Sequence, residues 1–166
     1  MDDDWSDEGG TLQTLSRPEH LLVWALRAIA VGHGDCAVVG RTFAHACGEM
    51  GAEALQSYVV LVKYIGMTGR RRLQVHVPGC PCVSLDETAI VGVVAAAQHA
   101  LRDGDDALLK MRLRFLLESE PKEVFLFAAQ AVANILDACG HALPLHLDDD
   151  RRAYVDAAPA QLRVVH

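Results

Sequence analysis

Ser84-Leu85-Asp86-Glu87-Thr88-Ala89-Ile90-Val91-Gly92-Val93-Val94-Ala95-Ala96-Ala97-Gln98-His99-Ala100-Leu101-Arg102 decides the fold class. Ser84 at an N-cap with Glu87 three residues on forms a capping box, and Asp86 suits the positive end of the helix that follows. From there the chain is apolar over most of a helical circumference as far as residue 100. A helix that is apolar all round sits in the centre of a bundle or is shared with a second subunit. Asp103-Gly104-Asp105 then makes a turn.

The same pattern extends in both directions. Upstream, Ser16 before Arg17-Pro18-Glu19 starts a helix that runs to Gly32, with Pro18 in its first turn. Asp35 is placed to cap a short helix through Phe43 to Gly48, and a third helix covers Glu49 to about Gly66. Downstream, Ala107–Leu117 is amphipathic, with Leu109, Leu113, Leu116 and Leu117 inward and Lys110, Arg112 and Arg114 outward. Ser119 is the expected cap of a last long helix from Pro121 to Cys139. The expectation is an all-α, single-domain bundle of about six helices, because no repeat of 20–50 residues points to a solenoid.

One segment departs from the helical period. Leu73, Val75 and Val77 alternate with Arg72, Gln74 and His76, so residues 70–77 are expected to be extended. A lone strand has no obvious partner elsewhere, and a linker laid against the helices fits as well as a sheet. Pro78-Gly79-Cys80-Pro81-Cys82 must then turn.

The 166 residues are 51% hydrophobic with a formal charge of −7, and Asp2, Asp3, Asp4, Asp7 and Glu8 account for five of those charges. The expected layout is an acidic, disordered arm at 1–15, a nearly neutral helical domain at 16–147 and a poorly ordered tail at 148–166. The acidic N-terminus is no secretory n-region, and each apolar run is shorter than the roughly 18–20 residues that span a bilayer. A cytoplasmic protein without a membrane segment is expected, its five cysteines being reduced thiols or metal ligands.

The candidate site is the His76–Cys82 stretch. Cys80 and Cys82 hold two sulfurs close on a proline-restricted backbone, and soft thiolates select zinc or, less readily, iron–sulfur chemistry. His76 and Cys36 would complete a Cys/His set. Against this, zinc knuckles usually come as two Cys-x2-4-Cys pairs, and Cys36, Cys47 and Cys139 suit small core positions. The Cys80-Pro81 dipeptide of haem-responsive proteins is too common to carry weight.

Arg70, Arg71 and Arg72 form the one dense basic cluster, with Lys110 and Arg114 in a second. These would serve a nucleic-acid-linked regulator. A recognition helix at 51–66, however, would present only Glu53, Gln56, Ser57 and Lys63 on its polar face. No Gly-x-Ser-x-Gly, phosphate-binding glycine loop or His-Glu-x-x-His occurs, and the acids at helix starts are explained by capping.

At Arg70-Arg71-Arg72-Leu73, Pro78-Gly79-Cys80-Pro81 and Asp86-Glu87 the chain resembles small, helical, uncharacterised proteins of alphaproteobacteria. The resemblance covers residues 18–140 and implies a cytoplasmic bacterial helical domain, with no function to carry over. The residues thus lead to a non-enzymatic regulatory or adaptor protein that acts through a helical surface on a protein partner or a second copy of itself. The alternatives are the nucleic-acid regulator and a small thiol-redox protein using Cys80 and Cys82.

Overall fold

A computed structural model describes residues 10–147. Among them run six α-helices: α1 Arg17–Ala30, α2 Ala37–Cys47, α3 Gly51–Thr68, α4 Leu85–Asp103, α5 Ala107–Leu116 and α6 Glu123–Ala138. Short 3-10 turns occupy Leu12–Thr14 and Gly48–Met50. The chain is an all-α single domain with one extended stretch where the alternating pattern lies.

α6 packs against both α3 and α4, α2 packs on α3, α5 packs on α4 and touches α6, and α1 touches both α3 and α4. Residues 93–97 of α4 are all buried, as a central helix requires. The α4 capping box forms as expected: the Ser84 hydroxyl accepts from Glu87 N at 3.1 Å, and Glu87 accepts from Ser84 N at 2.9 Å. The helix ends at Gly104, whose φ of +73° is a left-handed conformation that favours glycine.

Several boundaries differ from expectation. Asp35 does not cap α2; Cys36 takes the N-cap position, its N–H donating to the His33 carbonyl at 3.1 Å. Ser119 does not cap α6, which starts only at Glu123. The residues before Pro121 are disfavoured from helix, and the Glu118 N–H is used to tie back to Thr68 O at 3.2 Å. Arg112, expected outside, is 7% exposed. Its guanidinium donates to the carbonyls of Gly92 at 2.6 Å and His146 at 3.1 Å.

The last residues of the expected acidic arm belong to the fold. Thr11 bridges Cys82, Leu12 N–H donates to Pro81 O at 2.8 Å, and Leu12 and Leu15 pack on the core. Residues 1–9 of that arm and the tail at 148–166 lie outside the described residues.

Candidate functional site: a buried ion pair beneath the Cys-Pro-Cys turn

The N-terminal turn of α4 organises the whole non-helical segment from Arg70 to Val83. Glu87 is fully buried and Arg27 is 2% exposed, and the two form an ion pair across α1 and α4. Arg27 Nε donates to Glu87 Oε1 at 2.7 Å and Nη2 to Oε2 at 3.0 Å. The same guanidinium donates to the carbonyls of Cys80 at 2.6 Å and Cys82 at 2.5 Å. Glu87 further accepts the backbone N–H of His76 at 3.1 Å and of Ser84 at 2.9 Å. Four acceptor positions of the carboxylate are thereby filled. Burying two charges is tolerable only with such complete pairing.

One residue earlier, Asp86 holds the other end of the segment. Arg71 donates to it through both terminal nitrogens, at 2.7 Å and 2.5 Å, and Gln74 N–H donates to Oδ2 at 2.6 Å. Those hydrogen bonds push the Arg71 pKa above its ordinary value, against the effect of partial burial. Ser84 Oγ donates to the Gln74 carbonyl at 2.5 Å. The alternating stretch therefore needs no partner strand: side chains of Ser84, Asp86 and Glu87 satisfy backbone groups that a ladder would otherwise use.

Chemically, this centre is a clamp. Both carboxylates in the first turn of α4, Asp86 and Glu87, are committed to internal donors. The Cys-Pro-Cys turn is gripped through its carbonyls. All five cysteines are free thiols. Cys36 stands at the start of α2, Cys80 is half-buried and Cys82 is exposed. Among the described residues no three His, Cys, Asp or Glu side chains gather into a group able to hold a metal. The set of Cys36, His76, Cys80 and Cys82 therefore does not converge. Instead Cys47 and Cys139 meet, with the Cys139 thiol 3.7 Å from the Cys47 carbonyl. Burial, and then the neighbouring Cys139, push the Cys47 thiol up to about 11.

The two basic clusters come together at one edge, where Arg70 donates to the carbonyls of Leu117 at 3.4 Å and Arg114 at 3.3 Å. Their charges are largely used at home. Arg71 pairs with Asp86, Lys110 with Asp106 at 2.9 Å and Arg114 with Glu120 at 2.8 Å. Arg72 instead faces a groove beside Lys63. A polyanion would have to displace three intramolecular acids to use this edge.

A second polar feature was not anticipated. Residues 141–147 strap across α1, α4 and α5 above a small apolar cavity of about 60 Å³. His146 Nε2 lies 2.8 Å from Glu19 Oε1, and Gln98 holds the strap by donating to His141 O at 2.9 Å and accepting from Leu143 N at 2.8 Å. Arg27 and Arg112 carried one legible signal, a charge inside a helix rich in apolar residues. Their partners lie too far along the chain to be inferred from spacing.

Compared with protein-family models, curated proteins and solved structures, the chain matches none. No helix among the described residues is long and apolar enough to cross a membrane.

Proposed function

We propose that the chain is a non-enzymatic regulatory or adaptor protein of the cytoplasm that works through a helical surface. The observation that carries this is the apolar exterior of α3 and α6. Met67 is 79% exposed and Phe127 is 74% exposed, with Tyr64 and Val124 also on the outside. Tyr64 meets Phe125 edge-on, ring centroids 5.5 Å apart, where α3 packs on α6. Methionine, tyrosine and phenylalanine are the residues enriched at the centres of protein interfaces. The Arg27–Glu87 clamp supports the same reading, since it immobilises a turn and offers no free acid or base to a substrate. Five free thiols suit a reducing compartment.

Affinity capture with the full chain and with Met67→Glu/Phe127→Glu tests the proposal. Both positions are exposed, so the variant keeps its unfolding midpoint. A protein partner held by the native chain should be lost from the variant. Partners retained equally by both would overturn the assignment of this surface.

A further inference from the structure

The groove beside Arg72 has a size and lining of its own. It encloses about 500 Å³ between α1, α3 and the extended stretch at 72–77. That falls within the roughly 300–1,000 Å³ of small-molecule sites. Its floor is apolar, with Leu26, Ile29, Val62 and Ile90 all buried. At the rim, Val31 and Val77 remain 49% and 68% exposed, a state that apolar side chains leave when something covers them.

Two cations border this apolar trough, Lys63 from α3 and Arg72 from the extended stretch. Both are exposed, and among the described residues neither takes part in an ion pair, unlike Arg71, Lys110 and Arg114. An apolar floor with unused positive charge at its edge complements a ligand with an apolar tail and a negative head. A protein interface typically needs about 800 Å² per partner, and a trough of this volume suits a smaller guest better.

We propose that the groove binds a single-chain fatty carboxylate. The methylene chain lies along Val31, Leu73, Val75 and Val77, above the buried Leu26, Ile29, Val62 and Ile90, and the carboxylate reaches Lys63 and Arg72. The chain at Gly66 leaves room for it: a Cβ built there meets nothing within 4 Å. Each two methylenes added to the ligand should tighten binding by about tenfold until the groove is full.

Titration calorimetry of the full chain with octanoate, decanoate and dodecanoate, below their micelle concentrations, provides the test. One molecule per chain should bind, and dodecanoate should bind most tightly. Lys63→Glu/Arg72→Glu should weaken dodecanoate at least tenfold. Dodecyltrimethylammonium, with the same tail and the opposite charge, should bind the native chain no better than it binds that variant. Gly66→Leu projects a side chain over the groove without a clash and should abolish binding while the protein stays folded. No binding of any carboxylate would overturn the proposal, as would an affinity indifferent to the two charge reversals. A groove filled by a second copy would appear in sedimentation as a dimer that Gly66→Leu dissociates, and that result would also overturn it.

Discussion

Arg27 shows how much one side chain can organise. It lies on the buried face of α1, and it joins α1 to α4 and to two carbonyls of the Cys-Pro-Cys turn. Removing one member of a buried, fully bonded pair leaves an uncompensated charge and typically costs 3–5 kcal/mol. Glu87→Gln is therefore expected to lower stability by about 3 kcal/mol in urea denaturation. A double-mutant cycle with Arg27→Met should show a coupling of at least about 1 kcal/mol. Independent effects of the two substitutions would show that the pair does not act as a unit. The Ser84 and Glu87 positions were legible as a capping box because their signal is local. Arg27 was not, because its acid lies 60 residues away. The same distinction holds for the cysteines. Cys80 and Cys82 attract notice by spacing, yet the close pair is Cys47 and Cys139, at the C-terminal ends of two helices far apart in sequence.

At the scale of elements, close approach of backbones decides what packing tolerates. A Cβ added at Gly51 would fall 2.5 Å from the Phe43 carbonyl oxygen and 2.6 Å from Ala44 N, both backbone atoms that cannot step aside. The same addition at Gly66, on the same helix, meets nothing. Gly51→Ala should therefore destabilise the protein by about 2 kcal/mol through overpacking. Gly66→Ala should stabilise it by up to about 1 kcal/mol through helix propensity. Thermal unfolding of the two variants, made in parallel, should give shifts of opposite sign; equal shifts would show that α2 and α3 do not approach so closely. Helix existence was readable from apolar periodicity for all six helices. The starts of α2 and α6 were misplaced because Asp35 and Ser119 are good caps by type, whereas turn hydrogen bonds and Pro121 set the boundary.

Across the whole molecule, two buried acidic groups tie stability to pH. Burial, aided by the Glu87 charge, raises the pKa of Tyr58, whose hydroxyl donates to Leu22 O at 3.0 Å. Cys47 is raised from 9.0 to about 11. Both groups keep their protons in the folded state longer than in the unfolded state, so the unfolded chain binds fewer protons above pH 9. These two groups contribute no pH dependence well below pH 9, and through them stability should fall as pH rises from about 9 toward 11. Urea midpoints measured across that range should show the fall, and Cys47→Ala should reduce its slope. A flat profile would place the Cys47 thiol in water.

Composition and periodicity by themselves determined an all-α chain of about six helices, a helix at 85–103 apolar over most of its circumference and a non-helical stretch at 70–77, since each follows from neighbours within a turn or two. Tertiary structure alone decided what holds that stretch, which charges are spent and which stay available. Arg70, Arg71, Arg72, Lys110 and Arg114 look alike in sequence. The fold commits Arg71, Lys110 and Arg114 to acids, lays Arg70 on carbonyls and leaves Arg72 beside Lys63 at the groove. The physical reason is distance: helix formation depends on residues three or four apart, whereas the pairing of a buried or half-buried charge depends on whichever segment folding brings against it.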